Sequence, residues 1–346
     1  MRIKKLQAQL HKQSLLIYNP YLIEYYLGTY FEVGERFIGL LITDDSKYLI
    51  INKLFDASNI SGVEVIEYLD GESYAEIIKK LIMDDELLVD DTLWGRFIFE
   101  LLKQDIKVFD GSLLINHQRI IKDESEIIKM KKSSALNDYV MGLAHQYLKE
   151  GITEQAVAEY IKQQYLKLGA SGEAFETIVA FGENGADPHA LASDRRLKKG
   201  DSVIIDMGCR LDGYCSDMTR TFLYGQTPMN EIYHLVLKAN MEAKKLIKPG
   251  VALKVLDLRA REIITEAGYG AYFNHRLGHG CGKEVHEPYD VAMNTEVLME
   301  EGMIFSIEPG IYIPGVGGVR IEDLVLVTKD GYLSLNNYPY DNNELK

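Results

Sequence analysis

Cysteine is scarce in this chain, at three residues (Cys209, Cys215 and Cys281) with no CxxC spacing among them. An odd number so placed excludes a disulfide framework and a zinc ribbon, and it points to a reducing compartment, the cytoplasm. Long apolar runs are missing too, and none approaches the ~20 residues that a membrane helix needs. The opening Met1-Arg2-Ile3-Lys4-Lys5 carries charge but leads into Gln, His and Lys rather than an apolar stretch, so it is not expected to act as a secretory signal. Positive charge is in deficit. The 38 basic side chains against 52 acidic ones leave a formal net charge of −14, which opposes binding to nucleic acid or to an anionic membrane. The single tryptophan, Trp94, reads as a packing residue.

What the chain does have is the balance of a globular protein: 346 residues, 47% apolar and 26% charged. That length exceeds what one core usually supports, so two domains are expected, with a boundary near residue 120. Before it, short apolar runs (Leu15 to Tyr18, Phe37 to Ile42, Tyr48 to Ile51, Leu87 to Val89) alternate with helical stretches, as in a small α/β domain. After it, a long helix is expected with Ile128, Ala135, Tyr139, Leu143 and Tyr147 on its apolar face, ended by Gly151. Thr153 is placed to cap the next helix, and two more are expected over Pro228 to Ile247 and Leu253 to Ala267. Strand-like runs lie between these helices, so the second domain reads as α+β; no fixed-period repeat or low-complexity segment is present.

The polar residues of interest lie in those strand-like runs. Val203-Ile204-Ile205-Asp206 ends an apolar strand in a carboxylate, which is costly there without a partner. Beyond the turn-prone Asp212-Gly213, Ser216-Asp217-Met218 supplies a second carboxylate, so a hairpin would set the two acids side by side. Adjacent carboxylates repel, which requires either an acid/base dyad or a cation between them. In Gly278-His279-Gly280 an imidazole stands among glycines, and an imidazole beside carboxylates suits a transition metal. Glu308 and Glu322 add two acids on either side of a loop rich in Gly and Pro, a second hairpin. Period-two alternation puts Arg320 and Glu322 on one face with Ile321 opposite, so Arg320 is placed to hold Glu322 or a substrate carboxylate. Four carboxylates and one imidazole exceed what one small cation needs. They suit two cations with shared carboxylates and a water, and the natural reaction is hydrolysis. His189 in Asp187-Pro188-His189 and His286 in Val285-His286-Glu287 are not needed as ligands and suit oxyanion stabilisation.

In order and content these segments resemble the pita-bread metallopeptidases, the family of prolidase, aminopeptidase P, methionine aminopeptidase and the metal-free creatinase. The resemblance rests on Asp206-Met207-Gly208, Ser216-Asp217-Met218-Thr219-Arg220-Thr221, Gly278-His279-Gly280, Val285-His286-Glu287, Glu308-Pro309-Gly310 and Gly318-Val319-Arg320-Ile321-Glu322-Asp323. It implies an α+β chain: a C-terminal pita-bread (creatinase/aminopeptidase) domain over 119–346, behind a smaller N-terminal α/β creatinase-like domain over 1–118 that serves substrate access and dimerisation. It also implies two divalent ions per subunit, manganese first, with cobalt or zinc as alternatives. Asp217 and Glu322 would bridge them, Asp206 would complete one coordination sphere, and His279 and Glu308 the other. Glu308 would relay the proton, His189 and His286 would touch the substrate, and Arg320 would stand beside the final ligand. All five ligand positions are filled, which argues against a creatinase-like or non-catalytic binding member. The N-terminal extension and the phrases around His279 and Arg320 look most like bacterial prolidases. The implied substrate is therefore a small Xaa-Pro dipeptide with proline after the scissile bond, with aminopeptidase P action on longer Xaa-Pro peptides as the alternative. A cytoplasmic homodimer is expected.

Overall fold

The computed structural model describes residues 2–32, 34–340 and 344–345. The chain divides into two compact units, one running to Arg119 and one starting at Ile120.

In the first unit the apolar runs form a mixed sheet of β1 (Ser14–Ile17), β2 (Ile38–Ile42), β3 (Lys47–Asn52), β4 (Glu64–Tyr68), β5 (Glu86–Val89) and β6 (Lys107–Asp110). Its spatial order is β4-β3-β2-β1-β5-β6. Successive side chains of a strand point to opposite faces, so this sheet divides its apolar residues between two cores. Leu15, Ile17, Leu40 and Ile51 pack on one face with Leu6 and Leu10, while Leu16, Leu41, Ile50 and Val89 pack on the other with Ile78, Phe97 and Leu101. Trp94 departs from the packing expectation: it is 46% exposed, stacked on Phe97, with the Arg96 guanidinium 4.5 Å from its ring centroid.

Among the described residues the strands of the second unit form four sheets in two parts, each part backed by a helix pair. The first part contains β7 (Gly172–Glu173), β8 (Ile178–Phe181), β9 (Ser202–Met207), β10 (Cys209–Leu211), β11 (Tyr214–Cys215) and β12 (Met218–Tyr224). The second contains β13 (Gly278–Gly280), β14 (Glu287–Val291), β15 (Ile304–Ile307), β16 (Gly310–Ile313), β17 (Gly317–Arg320), β18 (Asp323–Thr328) and β19 (Gly331–Ser334), and β20 (Glu344–Leu345) returns to pair with β12. Helices Glu124–Tyr147 and Glu154–Lys167 share a core with β8, β9 and β12, and helices Asn230–Lys244 and Lys254–Glu266 share one with β15, β17 and β18.

The long helix Glu124–Tyr147 turns a different face inward from the one expected. Ile128, Ala135 and Tyr139 are exposed, and the buried face is Met130, Ser133, Ser134, Asn137, Val140, Met141 and Ala144. Asn137 and Ser133 are tolerated there because they have partners, whereas the Ser134 hydroxyl has none among the described residues: Asn137 Nδ2 donates to Met207 O at 2.9 Å, Tyr165 OH donates to Asn137 Oδ1 at 2.5 Å, and Ser133 Oγ donates to Cys209 O at 3.2 Å. This helix also ends at Tyr147, ahead of Gly151. Thr153 caps the next helix as expected, its side chain accepting the N–H of Ala156 at 3.2 Å. Among the described residues no helix is long and apolar enough to cross a membrane.

Candidate metal centre

Asp206 and Asp217 meet through the pairing of β9 with β12, though not directly across a simple hairpin. Asp206 lies opposite Thr219, and Asp217 sits in the corner just before β12. The intervening chain makes its own small hairpin of β10 and β11, turned by Asp212 (φ 52°) and Gly213 (φ 76°) in the left-handed pair that tight hairpins favour. Glu308 and Glu322 stand at the two feet of the β16–β17 hairpin, where Gly310 pairs with Arg320. His279 lies at the centre of β13, between β14 and β15. Glycine flanks it for a steric reason: a Cβ on Gly278 would lie 1.9 Å from Ser306 O.

All eight residues singled out in the sequence line one cavity of about 660 Å³, together with Phe175, Ile178, Leu191, His275 and Tyr312. Of the eight, His189 and His286 are the exposed ones, and the His286 ring meets the His279 ring edge-on at 4.2 Å. One potential ligand atom each from Asp217, His279 and Glu322 lie within 4.8 Å of one another, and all three residues are buried.

The imidazole is the most telling group. His279 Nδ1 faces Gly280 O at 3.1 Å, so the proton is assigned to Nδ1. Burial, with His286 close by, pushes its pKa down to about 3. The ring is therefore neutral and its contacts with acids are not ion pairs. Its Nε2 lies 3.6 Å from Asp217 Oδ2 and 3.3 Å from Glu308 Oε1. Acceptors brought this close are mutually repulsive unless a cation lies between them.

The carboxylates carry the same signature. Burial raises Asp217 well above the usual carboxylate range, with Asp206 and Glu308 adding repulsion. Burial does the same to Glu322, reinforced by Asp217, Glu308 and Asp206. Glu308 is pushed up to about 7 by burial and by Asp206, despite the counteracting Arg320 charge. Asp206 gives one oxygen to Arg320 Nη2 at 2.6 Å, while its buried Oδ1 has no partner among the described residues. An unpartnered buried oxygen beside three crowded acids and a neutral imidazole is a donor set that fits divalent cations of the first transition row.

Arg320 does not hold Glu322 directly. It donates from Nε to Thr219 Oγ1 at 3.1 Å, from Nη1 to Tyr312 OH at 2.9 Å and Pro188 O at 3.4 Å, and from Nη2 to Asp206. Thr219 passes the restraint on, donating its hydroxyl to Glu322 Oε2 at 2.8 Å. Three residues given no role from the sequence thus belong to the site: Thr219, Tyr312 and His275, whose Nε2 lies 3.0 Å from Tyr312 OH. Thr219 stands in a motif already noted and the other two lie a few residues from one, but a hydroxyl or a second histidine carries no period or spacing signal of its own.

Comparison with known proteins agrees with this geometry. Residues 128–329 match metallopeptidase family M24, and residues 2–121 match the creatinase/prolidase N-terminal domain. A peptidase of Staphylococcus aureus (strain bovine RF122 / ET3-1), itself uncharacterised, is 40% identical, covering 97% of this chain and 99% of its own. The crystal structure of the prolidase from Pyrococcus horikoshii OT3 is 37% identical with a TM-score of 0.91, covering 98% of this chain and 99% of that one. The Xaa-Pro dipeptidase from Bacillus anthracis is 31% identical with a TM-score of 0.92, covering 99% of both chains. The chain belongs to metallopeptidase family M24, with the pita-bread fold in its second unit and a creatinase-type domain as its first.

Proposed function

We propose that this member of family M24 is a two-metal prolidase that hydrolyses Xaa-Pro dipeptides. Asp206, Asp217, His279, Glu308 and Glu322 hold the metal pair, manganese first among the candidates. The observation that carries the reading is the neutral His279 Nε2 lying within 3.6 Å of carboxylate oxygens of both Asp217 and Glu308. Divalent cations held there supply Lewis acidity toward the scissile carbonyl and toward water. Around them the chain's own residues do the rest. Glu308, which accepts the Ser306 hydroxyl at 3.2 Å, takes a proton from the attacking water and delivers it to the leaving proline nitrogen. His189 and His286, on the open side of the cavity, hydrogen-bond the oxygen that gains charge. Arg320, its donors committed to Asp206, Thr219, Tyr312 and Pro188, acts by holding those groups still.

A cavity of about 660 Å³ matches a small peptide. The N-terminal unit is assigned to substrate access and to formation of a homodimer. Three cysteines, all free and buried, fit a cytoplasmic protein. The test is hydrolysis of Ala-Pro and Leu-Pro by metal-stripped and manganese-reloaded protein. Activity is expected only after reloading, and Glu308→Gln should lower kcat about a thousandfold. Absence of metal-dependent cleavage of any Xaa-Pro dipeptide removes the proposal, and preference for a longer Xaa-Pro peptide over the dipeptide replaces it with aminopeptidase P action.

A further inference from the structure

Helix Asn230–Lys244 packs against the strands that flank Glu308 and Glu322, and its buried face is not uniformly apolar. Val236, Ala239 and Ala243 join the core, but Asn240, with no exposed surface, lies among them. Its Nδ2 donates twice, to Ile307 O at 2.8 Å and to Ile321 O at 3.0 Å. Those two carbonyls immediately precede Glu308 and Glu322. An amide nitrogen has two hydrogens, so one side chain ties together the two feet of the β16–β17 hairpin.

Packing does not account for an asparagine at this position. Asn240 Oδ1 is buried without a partner among the described residues, an unfavourable arrangement that a leucine of similar size would avoid. What leucine does not supply is the pair of donors. The same helix reinforces the restraint one turn later, where Lys244 Nζ binds Asp323 Oδ2. Arg220 Nη1 also donates to Glu322 O at 2.7 Å. Asp206 and Asp217, by contrast, are set by the pairing of β9 with β12.

We propose that Asn240 is a positioning residue that fixes the spacing of Glu308 and Glu322, and through it the cation site those two share with His279. The inference rests on the two-metal reading of the site. Because Asn240 grips the hairpin and not the β9–β12 pair, its loss weakens one cation site more than the other, which general destabilisation of the helix does not do.

The experiment is a calorimetric titration of metal-stripped protein with Mn²⁺, comparing wild type, Asn240→Leu, Asn240→Asp and the control Val236→Ala. The control removes core packing from the same helix face without touching either carbonyl. Two ions are expected to bind wild type. In Asn240→Leu the first constant is expected to stay near wild type and the second to weaken about tenfold or more. Asn240→Asp, isosteric but with an acceptor aimed at two carbonyls, is expected to behave the same way and serves where the leucine variant does not fold. Val236→Ala should lower the melting temperature with both constants retained. Wild-type constants in the Asn240 variants, or equal weakening of both sites, overturn the proposal. Wild type that binds no Mn²⁺ overturns it together with the two-metal reading, and wild type that binds two ions yet cleaves no Xaa-Pro dipeptide overturns the prolidase reading alone.

Discussion

Each unit of this protein has a buried strand that runs into an aspartate, and in sequence the two look alike: Leu87-Leu88-Val89-Asp90 and Ile204-Ile205-Asp206. Their surroundings differ. Asp90 Oδ2 accepts the N–H groups of Tyr18 and Asn19, and its Oδ1 accepts the N–H and hydroxyl of Thr92 at 3.0 and 2.5 Å. Asp206 has Arg320 on one oxygen and no partner among the described residues on the other. A carboxylate filled by donors from nearby loops fastens those loops together. One left short of donors beside Asp217, Glu308 and Glu322 is available to a cation. Burial of charge therefore does not by itself mark a site; incomplete satisfaction in the company of like charges does.

The largest effect that separates the two regions is expected at Asp217. Asp217→Asn should abolish Xaa-Pro hydrolysis and Mn²⁺ binding, yet raise the melting temperature of the metal-stripped protein by roughly 2–4 °C, because it removes one of several repelling charges. Activity assays and thermal melts of stripped protein check both halves. Asp90→Ala should do the reverse, costing about 3 kcal/mol in chemical denaturation through donors left unpaired, while Mn²⁺ constants stay unchanged. Loss of metal binding in the Asp90 variant, or loss of stability in stripped Asp217→Asn, would break the contrast.

A smaller effect sharpens it. Asp217, Glu308 and Glu322 are all raised in the metal-free fold, Glu308 to about 7. Their contribution is favourable at acid pH and is lost as pH rises through the folded values, so stripped protein should lose stability on going from about pH 5 to about pH 8. Metal binding needs the ionised forms and strengthens over the same interval. Mn²⁺ at about 100 times its Kd adds about 2.7 kcal/mol, and the gap between loaded and stripped melts should widen with pH as Kd falls at fixed metal. A gap that narrows toward alkaline pH would mean that these acids do not hold the ion.

Much of this site was legible in the sequence because its groups sit in short segments with local reasons for their composition. Asp206 ends an apolar run, His279 is flanked by glycines that let β13 approach its neighbours, and Glu308 and Glu322 bracket a turn-rich loop. Less legible were features set only by tertiary contact. The helix Glu124–Tyr147 buries Ser133 and Asn137 because their partners come from β10 and β9, so apolar periodicity selected the wrong face. Strands β4 and β6, at the two edges of the first sheet, have exposed positions and lack the apolar runs of the central strands. Asn240 gave no signal at all, since a polar residue within a helix is ordinary until the carbonyls opposite it are known.

The most direct test is the number of Mn²⁺ ions retained per chain by stripped and reloaded wild-type protein, from equilibrium dialysis with elemental analysis. Two ions are expected, with losses in both Asp217→Asn and Glu322→Gln. A chain that retains none, or retains ions unaffected by either substitution, would contradict a cation pair at these five residues.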